Sequence, residues 1–362
     1  MKVCHVTSGD LWAGAEMMCL RLLTGLKENK GVELSAILMN EGVLAHEIRK
    51  LGIQIEVVDE TRMDFFRAAG RARRILENFR PDILHTHRLK ENILGFVSSR
   101  IAHRGIPLIC TQHGLNEPQS RLKWRLLSIA NRYILSKHFR CIVTVSKDMS
   151  ITLNRKFGIS EEKLIVIPNG TKIPEPNKTH KRNQPFTIGS AGRLFPIKDF
   201  PFLVDIAAEV YGQVQDVRFE LAGEGPEHGR MLEQIRKYGL QDVFCLKGFV
   251  EDMSDFYEGL AVYINTSLHE GSPMSVLEAM SYALPVVAPR ERWMTELVAD
   301  GVHGFLVEGR DPKRFAKKCL AIYRDRNLGR TMGAASRERI IKEYSVQSMA
   351  DKYFDIYQKI LS

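Results

Sequence analysis

The sequence predicts an α/β protein built from two doubly wound domains in tandem. Three observations carry this expectation. The chain has 362 residues, more than one hydrophobic core usually serves. Short apolar strand patterns alternate with helical patterns, the signature of parallel sheets with helices on both faces. The alternation breaks once, in the stretch 174–184, which holds no apolar residue larger than proline and reads as a linker.

In the first domain, expected over 1–172, Val3–Thr7 is a short apolar strand. Ala15, Met18, Cys19, Leu22, Leu23 and Leu26 then recur at helical spacing. Strands follow at Val32–Met39, Ile53–Val58, Pro81–His87, Pro107–Thr111 and Cys141–Val145, with helices over Val43–Leu51 and Phe65–Phe79. In the second domain, expected over 185–344, strands fall at Phe186–Ala191 and near Val217–Ala222, Val243–Leu246, Ala261–Asn265, Pro285–Ala288 and Gly304–Val307. Val346–Leu361 is helical by pattern.

No apolar run reaches the roughly 18–20 residues of a membrane span. The N-terminus reads as a first strand, not as a cleavable leader, so a cytoplasmic location is expected. The six cysteines form no C-x-x-C pair and read as reduced, mostly buried thiols. The net charge of +9 is uneven: residues 1–172 hold 27 Lys and Arg against 17 Asp and Glu, whereas the rest is nearly balanced. Such a field favours an anionic partner.

The most informative stretch is His269-Glu270-Gly271-Ser272-Pro273-Met274-Ser275-Val276-Leu277-Glu278-Ala279-Met280. It follows a buried strand. Gly271 permits a tight turn, Ser272 suits an N-cap and Pro273 a first helical position. Met274, Leu277 and Met280 are expected to face the core. The helix start would offer free N–H groups to an anion such as a diphosphate, with Glu270 just before it and Glu278 about two turns in.

These residues resemble the signature of retaining GT-B glycosyltransferases of family four, which places two glutamates with seven residues between them in the setting E-G-x-P-x-x-x-x-E-A-M. The resemblance implies two Rossmann-like domains facing an interdomain cleft, the first for the acceptor and the second for a nucleotide-sugar donor. It implies that Glu270 contacts the transferred sugar and Glu278 the ribose, with Gly271, Ser272, Pro273, Met274 and Ser275 along the donor. Gly192-Arg193-Leu194-Phe195-Pro196-Ile197-Lys198 resembles the family's G-R-x-x-x-x-K loop, in which Arg193 and Lys198 would clamp the diphosphate. Fixed cations there stabilise charge that builds on the leaving group. Gly223-Glu224-Gly225-Pro226 also matches and would shape the nucleotide pocket, with the base near Lys247-Gly248-Phe249-Val250.

In the first domain, Ala13-Gly14-Ala15-Glu16 resembles the family's G-G-A-E loop, departing from it at Ala13. Gly14 would approach the donor. Glu16 reads either as a group on the acceptor side or as a first-turn helix glutamate. Gln112-His113-Gly114 resembles the H-G motif, whose histidine contacts the donor sugar. His85-x-His87 lines up two histidines on one strand face, without an evident third metal ligand.

No Asp-x-Asp pair occurs, so neither metal nor cofactor is expected and the nucleotide sugar is a substrate. No G-x-G-x-x-G follows either first strand, which disfavours a dinucleotide reductase. Two alternatives remain: a nucleotide-sugar epimerase of the same fold, and a basic nucleic-acid-binding protein. The charge alone supports the second, and no nucleic acid is expected. Arg121, Arg125 and Arg132 lie beside an apolar helical face of Leu122, Leu126, Ile129, Ala130, Tyr133 and Ile134, and residues 118–147 hold no acid. A second basic helix carries Arg67, Arg71, Arg73, Arg74 and Arg80. Together they suggest an anionic membrane surface and a saccharide or lipid-linked acceptor.

Overall fold

The computed structural model describes residues 1–9, 14–28, 31–102, 105–114, 122–175 and 185–362, with 122 and 123 as backbone. Its chain divides into two compact units, one of Met1–Gly170 with Val346–Ser362 and one of Thr171–Ser345.

The first unit runs β1 (Lys2–Thr7), α1 (Gly14–Glu28), β2 (Glu33–Leu38), α2 (Val43–Lys50), β3 (Gln54–Val57), α3 (Phe65–Phe79), β4 (Ile83–Thr86), α4 (Leu89–Ile101), β5 (Leu108–Gln112), α5 (Leu122–His138), β6 (Phe139–Thr144), α6 (Lys147–Phe157) and β7 (Leu164–Val166). Its seven strands are parallel in the order β3-β2-β1-β4-β5-β6-β7. The order reverses between β1 and β4, so the carboxyl ends of these strands mark the place where doubly wound sheets bind ligands.

Local chemistry sets the helix ends. The Asp64 side chain accepts from the Arg67 N–H at 2.9 Å and starts α3. Ser146 caps α6, and Gly158, at φ 66°, ends it in the left-handed region. Both faces of the sheet are buried. Val3, Ile83, Ile109 and Val143 pack beneath α1 on one side, and Cys4, Val6, Leu84 and Ile142 pack on the other. Helices α4 and α6 and strand β7 complete the unit beyond the elements that the pattern singles out.

The second unit runs β8 (Phe186–Ala191), α7 (Phe200–Tyr211), β9 (Val217–Ala222), α8 (His228–Lys237), β10 (Phe244–Gly248), α9 (Ser254–Gly259), β11 (Val262–Ile264), α10 (Met274–Ser281), β12 (Val286–Pro289), α11 (Arg292–Thr295), β13 (Gly304–Val307), α12 (Pro312–Arg324) and α13 (Arg326–Glu343). Its six parallel strands take the order β10-β9-β8-β11-β12-β13. Here the reversal lies between β8 and β11, the strands that carry the two most telling motifs.

The chain then returns to the first unit as α14 (Val346–Leu361). There Tyr353 and Tyr357 are fully buried in the core beneath α1. Five of the six cysteines are buried free thiols and Cys245 is exposed. No helix among the described residues is long and apolar enough to cross a membrane.

Candidate active site

In the second unit the loops after β8 and β11 converge at the switch point. Lys198 Nζ lies 2.7 Å from Glu270 Oε2, with both side chains largely buried. The other carboxylate oxygen, Oε1, accepts from Ser267 Oγ at 2.6 Å and from Asn265 Nδ2 at 3.2 Å. The carboxylate is thus fixed by a cation and two neutral donors. Glu278 Oε2 accepts from the Tyr257 hydroxyl at 2.9 Å.

The loop from Gly192 to Lys198 is itself fastened. Leu194 N donates to Glu224 O at 2.8 Å, and Leu268 N donates to Ile197 O at 2.8 Å. Arg310 donates to Asp199 and, at 2.9 Å, to Thr266 O, so it ties this loop to the one that carries Glu270. Arg193 is exposed, its guanidinium 5.0 Å from the Phe195 ring centroid. Among the described residues it pairs with no carboxylate, so it is available to an anion.

Gly223 has to be glycine. Its φ is 142°, and a Cβ there would lie 1.9 Å from the Gly192 carbonyl oxygen. The two glycines let the loops after β8 and β9 touch backbone to backbone. Glu224 then accepts from the Phe249 N–H at 3.3 Å, a structural bond that braces the segment 247–250. Phe249 is exposed beside it.

The helix start differs from expectation. α10 begins at Met274, Pro273 holds the cap position at φ −77° and ψ 94°, and no side chain caps it. Ser272 therefore precedes the cap, because the proline's fixed ring already sets the entry to the helix. The first N–H groups, at Met274 and Ser275, precede any intrahelical acceptor. Leu277 and Met280 are buried as expected, whereas Met274 is only partly so.

The first unit gathers four histidines at its own switch point. His5 on β1 and His85 on β4 are register partners. His87 follows β4, and His113 follows β5. His5 Nδ1 lies 3.0 Å from His87 Nε2, and His87 Nδ1 lies 3.1 Å from His113 Nε2. Burial pushes His5 and His113 down to about 3, the Arg88 charge adding to the effect at His113. Burial also holds His85 and His87 well below the ordinary histidine value. All four imidazoles are therefore neutral near pH 7.

His5 supplies the third histidine that the sequence alone did not reveal beside His85 and His87. One ring nitrogen from each lies within 4.8 Å of the others. Yet both His85 nitrogens are already bonded, Nδ1 to the Tyr357 hydroxyl at 2.6 Å and Nε2 to Thr111 Oγ1 at 2.8 Å. The His87 ring stacks on His5 and His85 at interplanar angles of 21° and 24°. Stacked rings do not converge their lone pairs on one ion, so a metal would have to rebuild the cluster.

Gly14 opens α1, and residues 10–13 before it lie outside the described residues. Glu16 is 1% exposed and paired with Arg88. It stands in the first turn of α1, where that ion pair engages it inside the fold. Arg121 lies outside the described residues. Arg125 and Arg132 are exposed on α5, and so are Leu126, Ile129 and Tyr133. The core takes Asn131, Ile134 and Leu135 instead, so most of the apolar face read from the sequence points outward. Sequence reasoning missed Tyr257, Asn265, Ser267 and Arg310. Each sits in a loop or helix with no motif of its own.

Residues 185–325 match the model described as glycosyl transferases group 1, and residues 12–173 match that of glycosyltransferase family 4. An Escherichia coli UDP-Gal:alpha-D-GlcNAc-diphosphoundecaprenol alpha-1,3-galactosyltransferase is 25% identical over 99% of this chain and 96% of its own. A Mycolicibacterium hassiacum MMP alpha-(1->4)-mannosyltransferase is 25% identical over 81% of this chain and 74% of its own. The crystal structure of Anabaena Alr3699/HepE in complex with UDP superposes with a TM-score of 0.86 at 20% identity, covering 99% of this chain and all of the other. This likeness gives the fold, GT-B with two Rossmann-like units. The chain is an enzyme and belongs to the group 1 glycosyltransferases.

Proposed function

We propose that the enzyme transfers a hexose, with retention of configuration, from a UDP-sugar to a saccharide or lipid-linked acceptor. One observation carries the donor site: Glu270, Lys198, Glu278 and Arg193 lie on the loops and helix that follow two adjacent strands at the switch point of one sheet. In this reading Glu278 holds the ribose, and Arg193 and Lys198 bind the diphosphate with the Met274 and Ser275 N–H groups. Glu270 and His113 contact the sugar, and the base lies near Phe249. UDP in the Anabaena neighbour and the UDP-Gal named for the Escherichia coli relative support the choice of base.

No metal is required in this reading, because cations and a helix start stabilise the leaving diphosphate. Glu270 is engaged by Lys198 and Ser267, which suits positioning better than nucleophilic attack. The C1–phosphate bond breaks, the acceptor oxygen bonds to C1, and the acceptor proton passes to the leaving phosphate oxygen. The test is slow hydrolysis of an α-linked UDP-hexose followed by NMR, with and without a chelator. Initial release of the α-anomer in both arms is expected. The β-anomer, a trapped covalent glycosyl-enzyme, or loss of turnover on chelation would overturn this mechanism.

The acceptor side is proposed to meet an anionic membrane through α5, where Leu126, Ile129 and Tyr133 stand exposed between Arg125 and Arg132. Co-sedimentation with vesicles containing phosphatidylglycerol, weakened in Ile129→Glu, is the expected result. Equal partition with purely zwitterionic vesicles would remove this part of the proposal.

A further inference from the structure

The histidines of the first unit form a directed chain. His87 uses one ring nitrogen toward His5 and the other toward His113. A neutral imidazole has one donor and one acceptor nitrogen. His87 must therefore donate to one neighbour and accept from the other, and the three rings carry their protons in one shared sense.

Either sense leaves one end of the chain a buried N–H and the other a bare acceptor. His5 Nε2 and His113 Nδ1 are both buried and have no hydrogen-bond partner among the described residues. If the protons run from His113 toward His5, the His5 Nε2–H is an orphaned buried donor. If they run the other way, His5 keeps a bare acceptor and the N–H appears at His113 Nδ1. A buried N–H without a partner is rare, and only the His113 end is offered one, by the sugar of the proposed function.

We infer that His5 and His87 are positioning residues that hold the proton of His113 on Nδ1, so that this atom donates to a hydroxyl oxygen of the transferred sugar. The inference rests on the proposed sugar contact of His113. His85 lies outside the chain, since Thr111 and Tyr357 occupy both its nitrogens. It stacks on His87 at a centroid distance of 4.5 Å and holds that ring in place.

The test uses the full chain with ¹⁵N-labelled histidine and reads the tautomer of His113 by long-range ¹H–¹⁵N correlation. The Nδ1–H form is expected in the native protein. His87→Phe keeps a ring but removes both nitrogens, so His113 should shift toward the Nε2–H form that free histidine favours. His5→Phe cuts the chain at its source and should do the same if His87→Phe fails to fold. His87→Gln retains a donor and an acceptor and should restore the native tautomer. An Nε2–H form in the native protein, or an unchanged tautomer in the phenylalanine variants, overturns the inference. Activity is read separately: kcat/KM for the donor should fall about tenfold in His87→Phe, the scale of one hydrogen bond. A switched tautomer with unchanged kcat/KM would leave the relay standing and remove the sugar contact from the proposed function.

Discussion

Glu270 and Glu278 sit on one segment yet have different partners, and this separates their expected roles. Glu270 is held by Lys198, Ser267 and Asn265, whereas the Tyr257 hydroxyl reaches Glu278. Lys198→Ala removes a cation from the proposed leaving group and leaves Glu270 without its ion pair. Its kcat should fall on the order of 10²–10³, with nucleotide affinity changed much less, as steady-state and binding measurements would show. Tyr257→Phe removes one donor from Glu278 and should raise the Kd for UDP about fivefold to tenfold, which calorimetry would resolve. The pair of glutamates, Arg193 and Lys198 were legible in the sequence because each motif is contiguous. Tyr257 was not, since its partner lies 21 positions away and only the packing of α9 beside α10 joins them. Arg310 is further still from Asp199, and a lone arginine after a strand gives no signal of a latch.

At the scale of elements, alternating patterns located the strands well because both faces of each parallel sheet are buried. Boundaries moved by a residue or two where capping chemistry decided, as at Pro273. The apolar stripe of α5 was visible, but its direction was not: helical periodicity shows that a face exists, and only the packing of Ile134 and Leu135 shows which one turns inward. The histidine cluster was half visible, since β4 and the loop after β5 carry motifs while His5 is one polar residue in an apolar strand. The cluster also makes a pH prediction. Its imidazoles titrate far below the ordinary value of 6.5 in the folded protein, with His5 and His113 near 3. Below pH 6.5 the unfolded chain therefore binds more protons than the folded one, and stability falls progressively toward pH 3. Thermal unfolding of the native protein should show this loss, and His5→Phe should flatten it. An unchanged slope in His5→Phe would contradict the assignment of neutral buried rings.

For the whole molecule, the return of the chain matters most. α14 closes the first unit although it follows the second in sequence. A Cβ on Gly25 of α1 would lie 2.7 Å from the Ala350 Cβ, so the two helices meet closely. Tyr353 and Tyr357 reach Thr111 and His85 with hydroxyl bonds of 2.8 and 2.6 Å. Tyr357→Phe should destabilise the protein by about 1–3 kcal/mol, the cost of leaving a buried group without its bond. Ending the chain at Ser345 strips both tyrosines from that core and should leave the first unit without a cooperative unfolding transition.

Everything proposed for the donor depends on a nucleoside diphosphate binding at Glu278 and Arg193. A thermal-shift panel with UDP, GDP, ADP and NADH, repeated on Glu278→Ala and Arg193→Ala, is the test of that binding. At about 100 times its Kd a ligand stabilises the folded state by about 2.7 kcal/mol, a readily visible shift. UDP should stabilise the protein above the other three, and less so in both variants. Stabilisation by NADH alone, or a UDP shift equal in the native protein and both variants, would contradict it.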